Sequence, residues 1–378
     1  MKILVIGAGP AGLMFASQIK KLHPEWDLRI VEKNHVDDNV VGWGVVLPGH
    51  AQKHPANPLT YTPADKTVGE QYLNEFKLTH NNKSVRKDTN VTLCGAERKA
   101  LVRELRQLCA GLDIPIEYEK SIEEESDLDT AAYDLVVMST GISHTSAYYR
   151  EALKPKVKYG SNRYMWYGTS QVFDAMNLIF KKHDKGVFVA HSYKYSNNMS
   201  TFVVECSEET YQKVGLDKLS EGEAEDFVAT LFKEELEGHS VQTQSGLKWR
   251  NFMKISHEKS YDGNIALVGD ALQSGHFSIG HGTTMAVVGA QILVKAVHDH
   301  SENVALAMEE FNNNVMPVMQ LFDKHATASQ DWFESVENKM DLSVEEIAHS
   351  FSERRGHLPP LPAALAQVLG RALDRGVN

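Results

Sequence analysis

Gly7-Ala8-Gly9-Pro10-Ala11-Gly12 and Glu32 are the first residues whose types and spacing can do chemistry. The glycines follow directly on an apolar run, Lys2–Ile6, and precede a stretch with apolar residues at 13, 14, 15, 16, 19 and 22. A second apolar run, 28–31, ends at Glu32, twenty residues beyond Gly12. Strand, glycine turn, helix, strand and acid in this order form the βαβ dinucleotide fingerprint. Gly7 permits the tight turn, Gly9 lets backbone approach a pyrophosphate, and Gly12 lets helix pack close to strand. Pro10 and Ala11 open the helix, whose unpaired N–H groups and positive dipole end favour phosphates. Glu32 is placed to accept from ribose hydroxyls, with Lys33 beside it.

A second constellation lies late in the chain. Ile265–Val268 is an apolar run that ends at Gly269-Asp270. A glycine-studded stretch from Gly275 to Gly282 follows, and then an apolar helix over about Thr283 to Val297. Asp270 thus stands at the carboxyl end of a strand, where α/β sheets bind ligands. Arg98 falls in the first turn of a helix expected over 97–109, where a cation opposes the helix dipole. A bound anion accounts for that placement, as does an arginine simply held in solvent. Gly42-Trp43-Gly44 reads two ways, as backbone passing a flat ligand or as a turn with a core tryptophan.

These residues need elements to hold them. Strand patterns at 114–118 and 133–141, the latter ending at Gly141, continue a parallel sheet. Residues 50–88 are polar, with few periodic apolar positions, and read as a loop-rich excursion. Strand signals then dominate at 164–167, 186–193 and 200–206, with Asn197-Asn198 as a hairpin turn. The aromatics there (Tyr164, Trp166, Tyr167, Tyr193, Tyr195, Phe202) read mainly as core, a minority as pocket wall. A helix is expected over 221–236, and residues 302–378 are helical by pattern. The fold class is α/β, α+β overall: a Rossmann-like domain with a parallel sheet, an inserted antiparallel β domain and a helical C-terminus. The expected division is 1–58, 90–150 and 255–325 for the dinucleotide domain, 59–89 and 151–254 for the substrate domain, and 326–378 for the C-terminal segment.

Composition narrows the function. The chain has 378 residues and a formal net charge of −11, with no basic stripe, which argues against a nucleic-acid partner. Three scattered cysteines suit a reducing cytoplasm and form no zinc pattern. The 17 histidines include no HExxH, so no metal is expected. Gly168-Thr169-Ser170-Gln171 is not the GxSxG of serine hydrolases, and there is no GxxxxGK[ST] phosphate loop. No uninterrupted apolar stretch approaches the ~18 residues of a membrane span. The oligomeric state is not encoded in any pattern found.

Gly7–Gly12 with Glu32, the strand ending at Gly141, and Gly269-Asp270 followed by Gly280-His281-Gly282 together resemble the single-component FAD aromatic hydroxylases of the para-hydroxybenzoate hydroxylase fold. The resemblance implies a non-covalent FAD, with NAD(P)H as co-substrate and O2 as oxygen source. It implies that Asp270 holds the ribityl chain and that Gly280, His281, Gly282 and Thr283 lie along the flavin edge. Arg98 with Leu101 and Leu105 matches the family's R-x-x-L-x-x-x-L helix, and Gly42–Leu47 its turn near the ring, so Trp43 and Gly44 join the cofactor candidates. Two positions depart from the pattern: Thr140-Gly141 replaces the middle Asp-Gly, and Phe277 the usual proline before the last glycine loop. The runs GWGVVLPG (42–49), HPANPL (54–59), WYGTSQ (166–171) and MSTFVVECSEETY (199–211) resemble one branch whose substrate is a bis-indole carboxylate hydroxylated at the 5-position of an indole. The GWGVV turn also resembles the aryl-CoA hydroxylases and marks no single substrate. His281 is the catalytic candidate, for proton delivery or hydrogen bonding. His54, Tyr167, Arg163 and Arg250 are substrate candidates, the arginines for a carboxylate. An NAD-dependent dehydrogenase would lack the late Gly-Asp and G-x-G pair; a flavin oxidase or reductase shares the first fingerprint.

Overall fold

Ile3, Leu4, Val5 and Ile6 are all buried, and the strand they form, β1 (Lys2–Ile6), sits in the middle of a parallel sheet covered on both faces. The computed structural model describes residues 1–36, 41–48, 71–122, 129–142 and 151–359. After β1 come α1 (Pro10–Leu22), β2 (Asp27–Val31), β3 (Gly44–Pro48), β4 (Gln71–His80), β5 (Lys83–Glu97), α2 (Arg98–Ala110), β6 (Ile116–Glu117) and β7 (Leu135–Met138). Four long strands follow: β8 (Lys156–Thr169), β9 (Met176–His183), β10 (Gly186–Lys194) and β11 (Ser200–Ser207). Then come α3 (Glu208–Val214), α4 (Glu221–Leu231), α5 (Lys233–Leu236), β12 (Val241–Gln242), β13 (Arg250–Ser256), β14 (Tyr261–Asp262) and β15 (Ile265–Leu267). The described chain closes with α6 (Gly282–Asp299), α7 (Val304–Glu334) and α8 (Val344–Glu353).

The first sheet runs β14-β15-β7-β1-β2-β6, parallel except at the β14 edge. Its core packs β1, β2, β7 and β15 against α1, α2, α6 and α7 as far as Ala326, around Phe15, Leu293 and Phe311. The second sheet runs β12-β8-β11-β10-β9-β4-β5-β3, with β13 also on β8; only β4 and β9 pair in parallel. One of its faces is covered by α4 and α5 through Tyr167, Phe202 and Phe232. Part of the other is covered by the end of α7 and by α8, through Phe180, Trp332 and Phe333. Because α7 carries Phe311 into one core and Phe333 into another, it ties the two sheets together.

One expectation is corrected. From Gln71 onward the supposed loop-rich stretch is a long hairpin, β4–β5, turning at Asn81-Asn82 with φ of +49° and +59°. Two successive positive φ values are what a tight hairpin turn matching strand twist requires. Its pattern is hidden because the register slips between Leu73 and Glu75, so a strict period of two fails there. β5 runs unbroken through position 90, where a domain boundary was expected, and β3 pairs with it.

Candidate active site

The glycine turn after β1 is held from both sides. Gly7 has φ +102°, and a Cβ there would lie 2.5 Å from the Ser139 carbonyl oxygen. At Gly12 a Cβ would lie 2.3 Å from both the Gly7 oxygen and Ser139 Oγ, so only glycine lets α1 approach β7 this closely. Over Gly9, by contrast, nothing stands within 4 Å of that position. Ser139 Oγ shares its proton between the Ile6 and Gly7 carbonyls, at 2.9 and 2.7 Å. Glu32, buried at the end of β2, accepts the Ala8 amide on Oε2 at 2.8 Å and the Asn34 amide on Oε1 at 3.0 Å. Oε1 also accepts from Asn34 Nδ2 at 2.9 Å, so the capacity for a further donor is on Oε2. Gly9, Pro10, Ala11, Glu32 and Lys33 line one end of a cavity of about 1130 Å³.

Further along the same cavity, Arg98 and Asp270 face one another. The Arg98 amide donates to the Trp43 carbonyl at 2.9 Å, which starts α2 and aims the side chain inward. Its buried Nε has no partner. Asp270 sits in the tight turn Gly269–Ala271, surrounded by protein but open to the cavity. Burial pushes the Asp270 carboxyl up and the Arg98 charge pulls it back; burial lowers Arg98 and Asp270 offsets that. Gly280 (φ +64°) then turns the chain so that α6 begins at Gly282 with its amides facing the cavity. His281 Nδ1 pairs with the Ile279 carbonyl; since a carbonyl only accepts, Nδ1 carries the proton in the neutral ring. Burial lowers the His281 pKa, so the ring stays neutral.

The floor is one face of the second sheet. Tyr164 lies opposite Glu205, Trp166 opposite Val203, and Val203 opposite His191, so these side chains point the same way. Tyr164, Trp166, Leu178, His191 and Tyr193 line the cavity. Phe277 closes one wall, its ring 5.0 Å from Tyr164 and 5.2 Å from His191.

The candidates separate on this geometry. Gly44, Gly141, Gly280, His281, Gly282 and Thr283 line the cavity. The Trp43 ring packs on Gly168 instead, where a Cβ would lie 2.5 Å away, and does not line it. Tyr167, a substrate candidate by sequence, is in the core on the opposite face of its sheet. Arg163 reaches the cavity but spends its charge on Glu208, bonded through Nε and Nη2. Arg250 has no carboxylate partner among the described residues; its Nε donates to the Tyr164 hydroxyl at 3.0 Å. His54 lies outside the described residues. Ser139, Arg355 and the buried trio His191, Glu205 and His276 went unnoticed in the sequence. The signal for the trio was a lone acid inside the apolar run FVVEC, costly to bury without a partner. Among the described residues no group of three His, Cys, Asp or Glu can hold a metal, and no helix is long and apolar enough to cross a membrane.

The residues present fit FAD. The open space over Gly9, Gly141 and Gly282 is where a phosphate chain or ring needs backbone without side chains. The unpartnered buried Arg98 Nε calls for an acceptor that the protein itself does not provide. No family model matches the chain. Its fold is shared with 2-methyl-3-hydroxypyridine-5-carboxylic acid oxygenase, at TM-score 0.69 and 17% identity over 97% of this chain and 95% of that one. Fold and site together define an FAD-dependent aromatic monooxygenase. The protodeoxyviolaceinate monooxygenase of Chromobacterium violaceum is 54% identical over 99% of this chain and all of the relative. A salicyloyl-CoA 5-hydroxylase from a Streptomyces species is 26% identical over 88% of this chain and 65% of the relative. This chain belongs to the protodeoxyviolaceinate monooxygenase family.

Proposed function

We propose that the protein hydroxylates one indole ring of a bis-indole carboxylate at its 5-position, converting protodeoxyviolaceinate to protoviolaceinate with NAD(P)H and O2. The observation that carries this reading is the continuity of one cavity, from the glycine turn past Asp270 to the aromatic floor on β8 and β10. Bound FAD would relay the reducing equivalents of NAD(P)H and activate O2.

The chain's own residues do the rest. Gly9, Glu32 and Lys33 bind the adenosine end. Arg98 and Asp270 hold the middle, the arginine toward phosphate and the carboxylate toward hydroxyls. The α6 amides at Gly282 and Thr283 meet the electron-rich edge of the ring system. Phe277, Tyr164 and Trp166 keep water from the reacting centre and give an indole flat surfaces to stack on. Arg250 pairs with the substrate carboxylate, and His281 hydrogen-bonds at the flavin edge. The parallel sheet serves the cofactor, the second sheet, which includes β3 and β5, serves the substrate, and α7 braces both. The buried free thiols of Cys94, Cys109 and Cys206 support a reducing, cytoplasmic setting.

The test is product mass spectrometry. FAD-loaded protein is given NADH or NADPH, ¹⁸O2 and a panel of protodeoxyviolaceinate, simple indoles and salicyloyl-CoA. One labelled oxygen in the bis-indole product supports the reading. Preferential labelling of salicyloyl-CoA, or reductant consumption without label in any product, overturns it.

A further inference from the structure

Beyond the residues that hold cofactor and carboxylate, the cavity floor contains a buried acid–imidazole pair. Glu205 on β11 is fully buried, and its Oε1 accepts from His191 Nε2 on β10 at 2.6 Å. The strand register makes this contact: Val189 lies opposite Glu205, so His191, two residues on, is its diagonal neighbour on the same face. Asn162 Nδ2 donates to the other oxygen at 3.1 Å, and His276 Nε2 stands 3.9 Å from it. His276 Nδ1 is taken up by Ser278, whose hydroxyl lies at 2.7 Å. Burial pushes Glu205 up, but the hydrogen bonds from His191 and Asn162 hold it below the usual carboxylate range.

This pairing sets the state of His191. An ionised carboxylate only accepts, so the pairing selects the tautomer with the proton on Nε2 and the lone pair on Nδ1. Among the described residues nothing bonds to Nδ1, and the ring lines the cavity beneath Phe277. The tyrosines and the other imidazole that line the cavity among the described residues are placed differently. Tyr193 commits its hydroxyl to the Gly44 carbonyl, and Tyr164 accepts from Arg250. His281 stands at the positive end of α6, which opposes a second positive charge.

We propose that His191 is the base that removes the ring proton during hydroxylation, and that Glu205 is its positioning residue. The inference rests on the hydroxylase reading above. Once the new C–O bond has formed, with the oxygen drawn from O2, the attacked carbon is tetrahedral and the ring carries positive charge. Aromaticity returns when the C–H bond at that carbon breaks, its electron pair rejoins the ring, and the proton passes to His191 Nδ1. The imidazolium so formed is stabilised by the Glu205 carboxylate and gives its proton to solvent before the next turnover. In a site walled by Phe277, Tyr164 and Trp166 a protein group must take the place of water as acceptor.

The experiment compares protodeoxyviolaceinate with the same compound deuterated at the hydroxylated carbon, in single turnovers of the FAD-loaded enzyme. Wild type is expected to show no primary isotope effect, because proton loss is fast. In H191N, hydroxylation slows by about 100-fold and a primary isotope effect emerges. Flavin reduction and the substrate-induced change in the flavin spectrum stay near wild type. E205Q, which keeps an acceptor for Nε2–H but removes the charge, shows the same effect more weakly, and serves if H191N does not fold. Variants that hydroxylate at the wild-type rate overturn the assignment. So do variants slowed without an isotope effect, which identify a structural role. A wild type that yields no oxygenated product overturns the functional reading instead.

Discussion

The Ala8 amide donates to Glu32 Oε2 at 2.8 Å, so the acid of the fingerprint braces the glycine turn from the neighbouring strand. In the proposed function Glu32 would do two things: fix the backbone that meets the pyrophosphate, and offer the remaining lone pair of Oε2 to the ribose. Glu32→Gln keeps an acceptor for Ala8 but loses the charge. FAD affinity is expected to fall about tenfold, about 1.4 kcal/mol, as for a hydrogen bond losing a charged partner. Titration of the apoprotein with FAD measures this, and an unchanged Kd would place the ribose elsewhere.

Gly9 and Gly12 should fail differently. Gly12→Ala forces a Cβ to within 2.3 Å of the Gly7 oxygen and Ser139 Oγ, so helix and strand must separate. The expected cost is that of overpacking a core, about 1–3 kcal/mol, read as a lowered urea midpoint. Gly9→Ala meets nothing within 4 Å. It should fold with the wild-type midpoint and bind FAD weakly, since its Cβ occupies space left for the ligand. Equal midpoints for the two variants would contradict this division.

Arg98 and Asp270 are expected to be coupled through the ligand. Each alone leaves a buried charge facing the cavity, Nε of Arg98 unpartnered. Asp270→Ala should give colourless preparations, and Arg98→Met a large loss of FAD affinity. The double variant should lose less than the sum of the two, because groups contacting one ligand and each other are not independent. Strict additivity of the three FAD binding energies would argue that the two residues act apart.

How far the sequence revealed this site depends on the kind of signal. Residues 1–32 were legible because turn chemistry, helix period and apolar runs agree there, and β1 and β15 followed from short buried-type runs. The β4–β5 hairpin escaped because a bulge between Leu73 and Glu75 breaks its alternation, although Asn81-Asn82 is the same turn signal that was recognised at Asn197-Asn198. Side-chain facing was the harder part. Tyr164 and Trp166 line the cavity while Tyr167 faces the core, and only the register of β8 on β11 decides which is which. The Arg163–Glu208 and His191–Glu205 pairs join separate strands and helices, so no spacing along the chain announces them.

Arg163 and Arg250, the two arginine candidates for the substrate carboxylate, are not equivalent. The Arg163–Glu208 pair is partly exposed, 28% and 42% for the two side chains. Its removal should cost about 0.2–1 kcal/mol of stability and leave KM unchanged. Arg250→Met should raise KM for a carboxylate substrate about tenfold and leave kcat near wild type, as loss of uniform binding does. The carboxamide analogue should be indifferent to the change. If Arg250→Met leaves KM unaltered, the carboxylate belongs at Arg355, which lines the same cavity with a buried, unpartnered Nε.

Acid should weaken the fold through His276. Its burial drops the imidazole pKa from 6.5 to about 4. The unfolded chain therefore takes up a proton near pH 6.5 while the folded chain refuses it until about pH 4. Between those values the unfolded state binds more protons, so stability rises with pH and is lost on acidification. The shift is worth about 3 kcal/mol at the acid end, at 1.36 kcal/mol per unit. Glu205, held below its usual range, adds loss of the same sign at still lower pH, as the unfolded chain protonates its carboxylate first. Urea midpoints of wild type and His276→Asn across pH 7 to 4 isolate the histidine. The wild-type advantage should shrink steadily below pH 6.5. A constant difference between the two proteins over that range would mean that His276 does not stay neutral in the fold.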